Sequence, residues 1–170
     1  MFKLKFTTRT LTALAMLIAI EVILSRFLSI NAWNIKIGFG FVPVVIAAIL
    51  YGPLAGGIVG ALSDFIGALL FPIGTYFPGF TLTAFLMGLV WGFFLHKDQS
   101  FWRIALAVVI NQFILSLFVN TFWISVLYGS PYVPLLATRV VQSAILTAAQ
   151  LAVIELIARA LPRFRKKVSL

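Results

Sequence analysis

Long apolar runs alternate along the chain with short joints rich in proline, glycine or charge. Those joints cut it into six helical segments. The first spans about 10–27, and the second is short, about 41–50, with Pro43 early in it. "YGP" at 51–53 predicts a tight turn, and the third segment follows at about 54–70. The fourth covers about 80–95, the fifth about 104–127, and the sixth runs to about 161. Four joints carry the remaining residues. "LSINAWNIKIGFG" (28–40) alternates near its end and so allows a short extended stretch. "FPIGTYFPG" (71–79) holds two prolines, two glycines and three aromatics. "HKDQSFWR" (96–103) is the truly polar joint, and "YGSPYVP" (128–134) precedes the last segment.

A helix needs about 20 apolar residues to cross a bilayer. The pattern therefore predicts an all-α integral membrane protein, a six-transmembrane-helix bundle forming a single membrane-embedded domain over 1–170. Composition agrees: 62% of the residues are hydrophobic and 10% charged, where a soluble domain carries about 25% charged residues. No room is left for a nucleotide-binding domain. The first segment has a basic flank, as a signal peptide would, but no small-residue cleavage site precedes "NAWNIKIGFGF"; a retained helix is expected.

Charge sets the orientation. Lys3, Lys5 and Arg9 lie at one terminus, and Arg159, Arg163, Arg165, Lys166 and Lys167 at the other. Six crossings put both termini on one face together with Lys97 and Arg103, and the positive-inside rule makes that face cytoplasmic. The joints on the other face contain Lys36 as their one cation. The net charge of +9 thus reads as topology signal and lipid-headgroup contact, and argues against nucleic-acid binding. Zero cysteines exclude disulfides, thiolate metal sites and a cysteine nucleophile.

Within the apolar segments the ionisable residues need a reason, because a charge at mid-bilayer costs roughly 2.5–3.5 kcal/mol on insertion scales. Asp98 lies in a polar joint, and Glu155 sits one turn from Arg159, an i,i+4 pair. Glu21 and Asp64 lie deeper. Arg26, at the outer end of the first segment, and Arg139, in the outer part of the sixth, face a cavity or a partner. One reading pairs Arg26 with Glu21 and Arg139 with Asp64. The other gives at least one guanidinium to an anionic solute, whose carboxylate it matches with two parallel hydrogen bonds. Both can hold.

The outer half is also aromatic: Trp33, Tyr76, Phe77, Trp123 and Tyr128 are examples. An interfacial belt explains scattered Trp and Tyr, whereas the glycine-hinged joints 31–41 and 71–80 suit lids over a flat, conjugated ligand. In the fifth segment Gln112, Ser116, Asn120 and Trp123 fall at i, i+4, i+8 and i+11 on one face, either interhelical glue or the lining of a solute cavity. Gly52, Gly56 and Gly60 step by four into Asp64, a groove for close helix approach. His96 is the single histidine, and no metal-spaced cluster, phosphate loop or paired-aspartate motif occurs. A non-enzyme without cofactor or metal is expected.

The run "FGFVPVVIAAILYGPLAGGIVGALSDFIGALLFPIGTYFPGFTLTAFLMGLVWGFFLHK" (39–97) resembles the substrate-binding membrane subunits of energy-coupling factor vitamin transporters. "YFPGFTLTAFLMGLVWGFF", "VNTFWISVLYGSPY" and "ATRVVQ" are most similar to the folate-specific branch. The resemblance implies six helices and capture of the vitamin from outside. It also implies partners: a transmembrane coupling subunit and two ATPase subunits that hydrolyse ATP on its behalf. A folate has a flat pterin, a benzoyl ring and a glutamate with two carboxylates, which suits an aromatic, cation-bearing cavity. Arg26, Lys36, Asp64, Tyr76, Phe77, Asn120, Trp123 and Arg139 are the candidate substrate-binding residues. Similar subunits carry an aspartate at the position of Asp64, which favours a structural pair or helix-end role over a hydrogen bond to a pterin amine. Ala15 and Ala19, four apart in the first segment, resemble the alanine pair with which such subunits meet the coupling protein; packing within the subunit is the alternative. Against these stand the same scaffold for another vitamin or precursor, such as pantothenate or a queuosine precursor, and a membrane scaffold protein without a solute.

Overall fold

The Thr7 hydroxyl accepts the Thr10 amide at 3.3 Å and so caps the first helix, α1, which runs Thr8–Arg26 in a computed structural model of the chain. The structure describes residues 7–32 and 35–168, with side chains for 7–30 and 37–160. After α1 a short antiparallel hairpin forms, β1 (Ile30–Ala32) and β2 (Ile35–Ile37), with Ile30 opposite Ile37. This is the extended stretch that the alternation allowed. All other regular structure among the described residues is helical: α2 (Phe41–Tyr51), α3 (Pro53–Leu70), α4 (Pro78–Leu95), α5 (Phe101–Val109), a π-helical segment (Ile110–Val119), α6 (Asn120–Tyr128) and α7 (Tyr132–Val168).

Local chemistry sets the joints. Gly52 has φ +96°, a conformation that a side chain disfavours, and Pro53 opens α3 where its missing N–H is no loss. Pro78 opens α4 in the same way. α5, the π segment and α6 form one rod of 28 residues, which ends at Gly129 in the left-handed region.

Five of these helices are long and apolar enough to cross a membrane: α1, α3, α4, the α5–α6 rod and the Tyr132–Ala160 part of α7. The sixth expected span, α2, has 11 residues, about 16 Å of helix and so about half of a hydrocarbon core. It persists because protein surrounds it: Pro43, Val44, Val45, Ala47, Ala48 and Ile49 are all buried. At its end, His96 Nδ1 lies 2.9 Å from the Ile49 carbonyl, one of the acceptors the helix leaves unpaired. The six-span expectation is thereby reduced to five full-length helices and one half-length helix.

The tightest pair is α3 against α4. A Cβ on Gly56 would stand 2.6 Å from the Gly88 carbonyl oxygen, and one on Gly60 2.6 Å from that of Ala84. The glycine step in α3 is therefore a packing groove, matched by Ala84, Gly88 and Gly92 on α4, again four apart. The apolar core, including Leu14, Val45, Val59, Leu95, Val108 and Ile154, fills the end of the bundle near His96. α2 and α4 end there, and α1 begins there. The opposite end is hollow.

Candidate functional site

The hollow end holds a cavity of about 400 Å³. Because α2 is short, its first turn contributes Gly40, Phe41 and Val44 to the wall at a depth where a full-length helix would have filled the space. Phe77, just before α4, and Phe80, Ala84, Met87 and Trp91 of α4 line it. From Phe80 to Trp91 the helix rises about 16 Å, so the cavity is elongated along the bundle. Its mouth carries the exposed residues Ile73, Gly74, Thr75 and Tyr128.

Four ionisable groups line it: Glu21, Arg26, Asp64 and Arg139. The expected pairing of Arg26 with Glu21 and Arg139 with Asp64 is corrected. Arg26 Nη2 lies 3.7 Å from Asp64 Oδ1 and donates to the Asp64 backbone carbonyl at 3.3 Å. The guanidinium packs over Gly67, where a Cβ would stand 2.6 Å from Nε. The reason lies in helix geometry: Glu21 and Arg26 are five residues apart, about 140° around an α-helix, and so point to different sides. Glu21 instead accepts from the Ser25 hydroxyl at 3.4 Å. The second Asp64 oxygen, Oδ2, accepts from Thr81 Oγ1 at 2.8 Å.

Arg139 projects from α7 into the cavity at 6% exposure. Neither its Nε nor its Nη1 has a hydrogen-bond partner among the described residues. A buried guanidinium without an acceptor is costly.

Of the residues expected from sequence, Arg26, Asp64, Tyr76, Phe77, Asn120 and Arg139 all line the cavity. Trp123 does not. It stands behind the wall, its ring 5.5 Å from that of Phe77 and its Nε1 donating to Thr83 Oγ1 at 3.1 Å. The Lys36 side chain and Trp33 lie outside the described residues. The polar face expected for the fifth segment is re-registered by the π turns, whose bonds run i→i+5. Asn111 and Gln112 are both buried, and Asn111 Nδ2 donates to the Met87 carbonyl at 3.4 Å, just behind the lining. Asn120, at the end of the π segment, reaches the cavity. Trp91, buried in α4, is a wall residue that sequence reasoning missed; an apolar helix interior offers no signal to separate lining from core. Among the described residues no group of three or more His, Cys, Asp or Glu side chains could hold a metal ion.

Ala15 and Ala19 are exposed on α1 together with Leu11, Met16, Ile20 and Ile23. Both alanines lie open at the helix surface among the described residues.

Comparison with known proteins follows this architecture. The sequence profile of the family described as "ECF transporter, substrate-specific component" matches residues 9–158. Folate transporter FolT of Clostridium novyi (strain NT) is 46% identical over 134 residues, 78% of each chain. Folate transporter FolT of Leuconostoc mesenteroides subsp. mesenteroides is 34% identical over 130 residues, 75% of this chain and 70% of the relative. Among solved structures, FolT bound with folic acid superposes with a TM-score of 0.86 at 30% identity, covering 91% of this chain and 95% of that one. The S component of a bacterial ECF transporter superposes at 0.72 and 24% identity, over 93% and 98%, a likeness of fold.

Proposed function

The chain belongs to the substrate-specific components of ECF transporters, and from that membership we propose that it captures folate from outside the cell for an ATP-driven importer. The family is a transporter component and not a class of enzyme. With five long apolar helices, the protein is a multi-pass component of the plasma membrane.

One observation carries the ligand assignment: Arg139, buried in the cavity wall with Nε and Nη1 unpartnered. A folate glutamate supplies the carboxylate that this fork accepts in parallel hydrogen bonds. The aromatic wall of Phe41, Tyr76, Phe77, Phe80 and Trp91 supplies stacking surface for the pterin and benzoyl rings. The elongated cavity suits a ligand with an acid at one end and a fused ring at the other. The relatives named folate transporters, and the FolT structure with folic acid, support the same ligand. Arg26 and Asp64, engaged with each other, shape the wall.

In this reading the hollow end faces outside, the chain crosses six times with α2 as a half-length crossing, and both termini are cytoplasmic, as the charge distribution requires. The exposed Ala15 and Ala19 face lets a coupling-protein helix approach closely, since small residues govern association where lipid is the solvent. Two ATPase subunits beneath that protein supply the energy, and this chain contributes no catalytic residue.

The test is to purify the protein from cells and identify what comes with it by absorbance and mass spectrometry. A pterin spectrum and the mass of a folate are expected. Another vitamin in the cavity, or no small molecule and no binding of added folic acid, overturns the assignment.

A further inference from the structure

The loop 71–77 forms the cavity mouth and is anchored at both ends. At its start, Phe71 packs edge-on against Phe27 with ring centroids 5.0 Å apart. At its far end, Tyr76 packs edge-on against Phe65 at 5.8 Å. Its centre, Pro72 to Thr75, is exposed and has glycine at 74, so its order depends on those anchors.

The Tyr76 anchor has a polar component through Thr81, which does not itself line the cavity. The Tyr76 hydroxyl lies 3.4 Å from Thr81 Oγ1, and that oxygen lies 2.8 Å from Asp64 Oδ2. A threonine hydroxyl has one proton and two lone pairs. Thr81 is the donor in both contacts, so its one proton is shared as a fork, chiefly toward the Asp64 carboxylate and in part toward the Tyr76 oxygen. Asp64 is fixed in turn by Arg26 through Oδ1. The chain Tyr76–Thr81–Asp64–Arg26 thus ties the mouth loop, α4, α3 and α1 together in a part-buried setting, where successive hydrogen bonds reinforce one another.

We propose that Thr81 is the positioning residue of the mouth: it relays the Asp64 carboxylate to Tyr76 and so holds loop 71–77 in the conformation that retains ligand. Asp64 acts here as a hub, with one oxygen given to Arg26 and the other to Thr81. Thr81 touches no ligand. It slows escape through Tyr76, so its loss changes the dissociation rate and leaves the association rate nearly unchanged.

The ligand arm of the test rests on the folate assignment, and a second arm does not. The full-length protein, free of cysteine, is given one at Ile73 and a nitroxide label there, and its mobility is read by electron paramagnetic resonance without ligand. Thr81→Val, which keeps shape and removes the hydroxyl, should shift the label to a mobile spectrum. Thr81→Ser, which restores donor and acceptor, should return it to the ordered one. In stopped-flow binding of folic acid, Thr81→Val should raise the dissociation rate about five- to tenfold, the scale of losing such a relay, with association within about twofold. Thr81→Ser should stay close to wild type. If the valine variant does not fold, Tyr76→Phe, which removes only the last link, should show the same mobility and dissociation changes. Unchanged spectra and rates in folded Thr81→Val overturn the proposal, as does failure of serine to rescue. A wild type that binds no folic acid but whose label is mobilised by Thr81→Val overturns the folate assignment and leaves the positioning role standing.

Discussion

Arg26 and Asp64 meet on the cavity wall, Nη2 to Oδ1 at 3.7 Å, with a second bond from the same nitrogen to the Asp64 backbone carbonyl at 3.3 Å. The first joins α1 to α3 through their side chains, and the second reaches a carbonyl near the end of α3. The aspartate is therefore compensated within the protein, and the two arginines of the cavity differ in their partners. Arg26 is engaged, whereas Arg139 is held in reserve.

The two arginines should separate on mutation. Arg139→Met removes a buried guanidinium that lacks acceptors, so apo stability should be unchanged or higher, the usual sign where function costs stability. Folic acid binding should weaken by about 2–3 kcal/mol, or roughly 30–150-fold. Arg26→Met leaves Asp64 without its cation, and should lower stability by on the order of 1–3 kcal/mol, below the range for fully buried pairs because Asp64 is part-exposed. Thermal unfolding in detergent, paired with calorimetric titration, reads both.

Trp123 should matter through Phe77. Because it lies behind the wall, Trp123→Ala loosens the Phe77 ring and removes the bond to Thr83, weakening folic acid binding by about 1–2 kcal/mol. No charge is involved, so the salt dependence of binding should not change. A Trp123→Ala protein with full affinity would remove Phe77 from the stacking surface.

Orientation can be read directly in a chain without cysteine. A single cysteine at Thr75 should react with a membrane-impermeant maleimide in intact cells. One at Asp98 should react only after permeabilisation. Labelling of position 98 in intact cells would overturn the topology.

Ala15→Trp/Ala19→Trp places two large side chains on an exposed helix face and leaves the cavity untouched. The isolated subunit should bind folic acid with near-normal affinity. It should fail to co-purify with the coupling protein and ATPases, and cellular uptake should collapse. Normal assembly and transport would move the docking face elsewhere.

Gly56→Ala should destabilise the bundle by about 1–3 kcal/mol, since its Cβ would meet a backbone carbonyl that cannot rotate away. Loss of binding should follow loss of fold, because α3 carries Gly60 and Asp64 on the cavity side.

The elements with a local cause were legible. The turn at Gly52–Pro53 and the apolar run lengths are written in neighbouring residues, and the helix boundaries follow them closely except at the end of α7, which runs on to Val168. The small-residue step of α3 announced a close contact, although its partner step Ala84, Gly88 and Gly92 passed unread in an apolar stretch. Six of the eight candidate substrate-binding residues line the cavity, because a charged or polar side chain in a lipid-facing segment is costly and so marks an interior space. The π segment escaped, since its register shift leaves no trace in the i, i+4 pattern of Gln112, Ser116 and Asn120.

The sequence by itself determined the solvent of this protein and its helical content, since each follows from transfer free energies that sum residue by residue. Only the tertiary structure decided which charges pair. Glu21, Arg26, Asp64 and Arg139 are separated by up to more than a hundred positions, and their partners depend on the relative rotation of α1, α3 and α7, with Gly56, Gly60 and Gly88 fixing α3 against α4. Tertiary packing turns Asp64 toward Arg26 and Thr81, sets Trp123 against Phe77, and leaves Arg139 at the cavity with Nε and Nη1 unpartnered among the described residues.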